Sequence, residues 1–418
     1  VKKRNGLIMK TSMLIAISMV TILSAATGRA DNELSFLKQE IDRLSARLEI
    51  LEAESQKLKI LSVSQVERVD ANRQLLDQFS STESVSSANQ IALKGDFRYR
   101  YEYIDSESKI HRDRERVRSR FAVEASIPND LKVGFGIASG GDDPVSTNQT
   151  LGKGNSTKDL RLDLAYMKWK VLEDTQLLAG KFSNPLYRPQ KSALLWDGDW
   201  RPEGIALSWR GEHIFANTIA NWIESDSKSD NRTLFWGAQV GGLIEISDIK
   251  LTGALAYYDF PTAGKSAFYD DDFFGNSTVE GRYAFDYQLV EIGGDIKFSL
   301  LDQPAVIFGN YVRNRDASSN DDGWLVGVGL GQVKKAKSWS IKYQYQELES
   351  DAVLGLFSDS DFGGGDTGAS GHKLSGALGI TSNWSLGFTW FFDNRLGFAD
   401  NDPAVQYDRL QIDAKFKY

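Results

Sequence analysis

Arginines at alternate positions are the residues of this chain best placed to do chemistry. Arg98 and Arg100 lie in one stretch and Arg116, Arg118 and Arg120 in the next, each two residues from its neighbour. Successive side chains of a β-strand point to opposite faces, so each set occupies a single face. The other face is apolar, with Phe97, Tyr99, Tyr101 and Tyr103 in the first stretch and Val117, Phe121, Val123, Ala125 and Ile127 in the second. Glu124 shares the arginine face. Five guanidinium groups on adjacent strands repel one another unless water or acids screen them, and they form a wall that attracts anions. An arginine turned to lipid at mid-depth would cost about 2–4 kcal/mol, so in a membrane such a wall must face inward, to water.

The elements that hold this wall recur along the chain. From Ile91 to Tyr418, apolar and polar positions alternate in segments of about ten residues, and the gaps between segments run short then long. Sixteen strands are predicted near 91–104, 115–127, 131–139, 159–170, 175–182, 204–210, 213–224, 232–246, 249–260, 285–299, 304–315, 322–333, 337–348, 371–381, 384–393 and 407–418. Seven short connections and eight long ones, among them 105–114, 183–203 and 349–370, are what an even-numbered closed barrel with both termini on its short-turn rim requires. The expected fold is all-β: a 16-stranded antiparallel transmembrane β-barrel over 91–418, preceded by a short α-helical coiled coil. The same parity makes Arg161, Asp163, Lys181, Arg210, Lys342, Gln344, Arg409 and Lys415 further inward candidates, as solvated wall residues.

The N-terminal part reads differently. Residues 1–30 have the form of a secretory signal: Lys2, Lys3, Arg4 and Lys10, an apolar run from Met13 to Ala26, and the small-x-small site Gly28-Arg29-Ala30. Met9 is an alternative start to Val1. Residues 31–90 are predicted as a periplasmic stalk and linker. Leu34, Leu37, Ile41, Leu44, Leu48, Leu51 and Leu58 fall on a heptad seam, and a seam of that kind needs partner helices. Self-association follows from it, although leucine at both seam positions does not fix the number of strands.

Composition narrows the function classes. The 418 residues include no cysteine, 37 glycines, 8 prolines and 47 aromatics (22 Phe, 15 Tyr, 10 Trp). Outside the N-terminus no apolar run is long enough for a transmembrane helix, whereas alternation hides a barrel from any hydropathy average. Without residues 1–30 the chain keeps 44 of its 49 basic residues against 57 acids, a net charge of −13, which argues against a nucleic-acid partner. Catalysis is not expected. The three histidines, His111, His213 and His372, have no nucleophile motif around them, and Asp359 to Asp366 lacks the spacing of a calcium-binding EF-hand. No cofactor or metal is expected.

Three features then point to a family. Arg112-Asp113-Arg114-Glu115-Arg116-Val117-Arg118-Ser119-Arg120-Phe121, the stretch Trp196-Asp197-Gly198-Asp199-Trp200-Arg201-Pro202-Glu203-Gly204, and a last strand ending in Tyr418 resemble the bacterial putative porin family. The resemblance implies a homotrimeric outer-membrane channel for passive diffusion of small hydrophilic solutes, in contact with lipid and lipopolysaccharide. It also implies that the loop 183–203 folds into the barrel, with Asp197, Asp199 and, by extension, Glu203 facing the arginine wall; mild anion preference is expected from the arginines themselves. Alternatives are a channel specific for phosphate or acidic sugars, and an envelope tether whose stalk binds peptidoglycan while the barrel serves as anchor.

Overall fold

The computed structural model describes residues 91–107, 109–225, 231–397 and 404–418, together with Arg43, Ser45, Ala46, Arg47 and Glu49, which are helical. The signal segment and all seven seam residues (Leu34, Leu37, Ile41, Leu44, Leu48, Leu51 and Leu58) lie outside the described residues.

Alternation of polarity at period two dictates strands with one wet and one apolar face, and such a sheet is stable in a membrane only when closed on itself. Closure is what the backbone shows. The barrel strands are β1 (Ile91–Ser106), β2 (Lys109–Ile127), β3 (Leu131–Ser139), β4 (Leu160–Leu172), β5 (Thr175–Lys181), β6 (Glu203–Arg210), β7 (Ile214–Glu224) and β8 (Thr233–Ile246). They continue as β9 (Ile249–Phe260), β10 (Tyr287–Leu300), β11 (Gln303–Asn314), β12 (Asp322–Gly331), β13 (Trp339–Leu348), β14 (Ala369–Gly379), β15 (Trp384–Leu396) and β16 (Val405–Lys417). Each strand pairs antiparallel with its neighbours in sequence, and β1 pairs with β16 from Asp96↔Lys417 to Ser106↔Tyr407. No edge is left open.

One rim carries tight turns. At Leu301-Asp302, between the paired residues Leu300 and Gln303, both turn residues have positive φ (51° and 56°), the geometry that a two-residue hairpin needs to match strand twist. The opposite rim carries the long connections, with one exception. The segment 105–114, expected as a long loop, continues the β1–β2 ladder to Ser106↔Lys109. Its charged residues pair across the strands, Tyr101 Oη donating to Asp113 at 2.6 Å and Arg114 bonding Glu102, so a polar sequence that reads as loop is a protruding hairpin.

The outward face is apolar around the barrel, with Phe97, Phe135, Trp209, Trp236, Ile292, Val326, Trp390 and Ile412 among many exposed large side chains. A water-soluble surface rarely exposes so continuous an apolar band. Inside, the barrel is not empty. The connections 182–202 and 349–368 carry a buried apolar cluster, Leu186, Leu194, Leu195, Trp196, Trp200, Leu354, Leu356 and Phe357, which packs on Phe235, Tyr258, Phe260 and Leu289 of β8, β9 and β10. Trp196 stacks on Trp200 at 4.3 Å and meets Tyr258 edge-on at 5.2 Å. In this part of the wall both faces of the strands are apolar.

Candidate functional site

The arginine wall forms where parity places it. Arg98 stands opposite Arg118, and Arg100 opposite Arg116, on paired positions of β1 and β2. On the other flank of β1, Arg98 faces Lys415 and Arg100 faces Asp413 of β16. Arg98 and Arg100 are only 7% and 4% exposed, so they belong to a packed lining rather than an open surface.

Acids screen the wall, and three of them belong to the wall itself. Asp96 binds Arg118 at 2.8 Å and Arg120 at 2.6 Å. Asp413 accepts from Arg100 Nε at 2.7 Å and from Nη2 at 3.0 Å, a bidentate fork, and lies 3.0 Å from Lys415. Glu102, fully buried, is shared by Arg409 and Arg114 and lies 3.8 Å from Arg116. Charge-assisted forks of this kind are short and directional, so they fix the arginines in place.

The remaining two acids come from the two inward connections. Asp199, at the tip of 182–202, accepts from Arg120 Nη1 at 2.9 Å and from Arg118 Nη1 at 3.5 Å. It also accepts from Thr147 Oγ1 at 2.9 Å, which ties it to the connection 140–159. Asp361, at the tip of 349–368, binds Arg409 at 2.6 Å and Arg100 at 3.2 Å. Together Asp96, Glu102, Asp199, Asp361 and Asp413 face Arg98, Arg100, Arg114, Arg116, Arg118, Arg120, Arg409 and Lys415. Among these groups alone five negative charges stand against eight positive, an excess that Asp143 near Arg116 and Asp163 near Arg120 reduce.

The other expected residues lie elsewhere. Asp197 does not face the wall. Its carboxylate accepts from the backbone N–H of Ser360 at 3.1 Å, from Ser360 Oγ at 3.2 Å and from the N–H of Asp199 at 2.6 Å. It joins the two inward connections, and the bonds Asp197 N–H to Phe357 O (2.7 Å) and Asp359 N–H to Ala193 O (3.2 Å) do the same through the backbone. Glu203 begins β6 and pairs with Lys181 at 2.5 Å, away from the arginines. Glu124 accepts from Tyr166 Oη at 2.7 Å and lies 3.5 Å from both Lys94 and Lys132, towards the short-turn rim. Of the additional inward candidates, Arg409 is a central member of the ion network, Asp163 pairs with Arg201 at 3.4 Å, and Arg161 pairs with Asp159 at the rim.

The connection 349–368 was not expected inside. Its signal is legible in retrospect as the apolar run Ala352-Val353-Leu354-Gly355-Leu356-Phe357 within a connection otherwise rich in Asp, Ser and Gly. Buried polar anchors hold it. Asn276 donates to the carbonyls of Ser350 and Val353 at 2.7 and 2.8 Å, and Tyr287 Oη donates to Asp351 at 2.9 Å. At its tip Gly363 has φ +60°, and a Cβ there would stand 2.6 Å from that of Ala369, so a larger residue does not fit the turn.

The carboxyls on these connections differ in electrostatics. Burial would raise the Asp199 carboxyl, but Arg118 and Arg120 outweigh it and hold its pKa below the usual value. Asp361 is likewise buried, yet Arg409 and Arg100 hold it well below that value. Asp197 has no such partner; burial, with Asp359 and Asp199 nearby, pushes its pKa up to about 8. Cavities open on each side of the constriction. One of about 630 Å³ towards the short-turn rim is lined by Lys94, Glu124, Tyr166 and Lys168, and one of about 470 Å³ towards the long-loop rim by Arg112, Arg114, Arg116 and Asp361.

Comparison with known proteins identifies the family and supports the barrel fold. The sequence model of a family described as "Putative porin" matches residues 69–304 and 282–418. No curated protein matches. Among solved structures, OprB of Pseudomonas putida is similar with a TM-score of 0.54 at 11% identity, over 79% of this chain and 94% of that one. A triple mutant of the Rhodopseudomonas blastica porin is similar with a TM-score of 0.46 at 10% identity, over 78% and 100% of the respective chains.

Proposed function

Because this chain belongs to the putative porin family, we propose that it is an outer-membrane channel through which small hydrophilic solutes diffuse passively, with anions favoured. The observation that carries this reading is the meeting of Asp199 and Asp361 with the arginine wall inside a closed barrel. Two inward connections narrow the lumen to a strip in which their acids lie against the fixed cations of the wall, in direct contact with them. A strip of this kind orients dipolar solutes, and its net positive charge lowers the energy of an anion relative to a cation. Selectivity of this sort needs no cofactor.

The long-loop rim faces outside and the short-turn rim the periplasm, where the stalk over residues 31–90 would join copies of the chain, as a trimer in this reading. His372, bonded to Tyr343 at 2.7 Å and stacked on Phe392 at 5.1 Å, belongs to the outward aromatic belt, which supports a channel over an enzyme. The purified chain in a planar bilayer should show stepwise conductance and, under a salt gradient, an anion-selective reversal potential. Arg118→Ala combined with Arg120→Ala should move that potential towards cations. Absence of conductance would sink the channel reading, and a potential unmoved by the double variant would sink the role of the wall. Deletion of 31–90 should abolish chemical cross-linking to trimers if the stalk assembles them. Retention of peptidoglycan by the full chain but not by the deletion would instead favour the tether.

A further inference from the structure

Within the wall, one arginine differs from the rest. Arg98 is more than nine-tenths buried, yet among the described residues no carboxylate oxygen lies within 4.0 Å of its guanidinium. Its Nη2 donates to the neutral amide oxygen of Asn148, and its Nε–H has no acceptor among the described residues. The surroundings compensate only in part: Asp413 and Asp361 act on it from beyond salt-bridge distance, and its two cross-strand partners are the cations Arg118 and Lys415. A buried guanidinium without a counter-charge in contact is costly, and an unmet buried donor adds to that cost.

Arg116, diagonal to Arg98 across the β1–β2 ladder, repeats the pattern. Its Nε–H also lacks an acceptor, and its Nη2 donates to Ser146 Oγ at 3.5 Å. Among the described residues its one carboxylate within 4.0 Å, Glu102 at 3.8 Å, is already shared with Arg114 and Arg409, while Asp143 and Asp361 act on it from farther away. Asn148 Nδ2 donates to Ser146 Oγ at 3.2 Å, so the two arginines are tied to one short segment of the connection 140–159. That segment is fixed in turn, because Thr147 between them holds Asp199 through its N–H and its hydroxyl, at 3.3 and 2.9 Å. Arg116 and Ser146 also line the cavity of about 470 Å³ that opens to the long-loop rim, which gives a route in.

We propose that Arg98 and Arg116, with Ser146 and Asn148, form a binding site for one small oxyanion of the phosphate or sulfate type. A tetrahedral oxyanion offers acceptors in several directions and a double negative charge. Two planar guanidinium forks match both features, whereas a halide supplies charge without directed acceptors. The site rests on the channel reading only for its place along a path; binding itself needs no current.

Calorimetric titration of inorganic phosphate into the full chain, folded in detergent at constant ionic strength and checked by heat-modifiable gel mobility, tests it. The expected result is one saturable site per chain, weakened at least tenfold by Arg98→Gln or Arg116→Gln. It should be weakened several-fold by Arg98→Lys, which keeps the charge but not the fork, and unchanged by Arg282→Gln on an outer connection. Saturable binding absent from the wild type, or Arg98→Gln within twofold of it, would overturn the proposal. If Arg98→Gln does not fold, Arg98→Lys decides: binding equal to the wild type overturns the site. Phosphate binding without chloride current removes the channel reading and leaves the site; chloride current without phosphate binding does the reverse.

Discussion

Replacing Asp199 with asparagine separates the charge of the constriction from its shape. Asparagine matches aspartate in size and keeps one carbonyl oxygen, so Thr147 can still donate to it, but the attraction to Arg120 (2.9 Å) and Arg118 (3.5 Å) is lost. A hydrogen bond to a charged group contributes about 1.5–3 kcal/mol. Both arginines keep Asp96 and are partly exposed, so the docking of this tip should weaken by about 2 kcal/mol at most. The effect on a passing ion is separate. Removing one negative charge roughly 7 Å from its path, in surroundings as polar as water, changes its energy by about 0.6 kcal/mol. An anion gains that energy and a cation loses it, so the difference of about 1.2 kcal/mol favours anions over cations by a factor of about seven. The assay is the reversal potential across a planar bilayer under a salt gradient. Asp199→Asn should raise the anion-to-cation permeability ratio about sevenfold, and Arg120→Gln should lower it by a similar factor. A ratio unmoved by Asp199→Asn, or moved towards cations, would refute the reasoning.

Asp361→Asn should act on stability more than on selectivity. It neutralises two contacts while Arg409 keeps Glu102 and Arg100 keeps Asp413, so the cost is about 1.5–3 kcal/mol, readable as a lower midpoint of thermal unfolding in detergent. Trp196→Ala removes the centre of the aromatic cluster at a cost of about 3–5 kcal/mol and should increase single-channel current noise by loosening the connection 182–202. The pH response follows from Asp197. Its docked pKa of about 8 lies above the ordinary 3.8, so the protonated form favours docking. That contribution is fully present below 3.8, falls steadily as pH rises and is gone above about 8; current noise should therefore grow from about pH 4 to pH 8, level off above that, and lose this dependence in Asp197→Asn. Asp361 has the opposite sign. Its carboxyl is held well below 3.8, so its contribution persists above that value and fades only as pH falls through the lower docked value.

Much of this arrangement was legible in the residues, for reasons that differ by element. Period-two alternation is a local property, so the sixteen strands and the inward parity of Arg98, Arg100, Arg116, Arg118 and Arg120 could be read one segment at a time. The position of Asp199 was legible only through family resemblance, and the same reasoning misplaced Asp197 and Glu203. Which acid of a loop reaches the wall depends on the path of the loop, and nothing in Trp196-Asp197-Gly198-Asp199 fixes that path. The inward course of 349–368 escaped because its acids suggested a solvated loop, while the apolar run from Ala352 to Phe357 finds its partners far away in sequence. Those partners gave a fainter signal. Leu234-Phe235-Trp236 and Tyr257-Tyr258 break the alternation, because there the inner face packs on protein instead of water. The hairpin over 105–114 was hidden by composition, since charges paired across two strands look like a loop when each strand is read alone.

The claim at the centre of this account is that solutes pass along the arginine wall, beside the contacts that the inward connections make with it. The chain has no cysteine, so a single engineered thiol reports on one position without background. Arg120 is the most exposed arginine to contact Asp199, its side chain 23% accessible. In Arg120→Cys, a water-soluble bulky thiol reagent should cut the single-channel current sharply, while the wild-type current stays unchanged. A current that persists after complete modification of that thiol would contradict the account, because solutes would then be passing somewhere else.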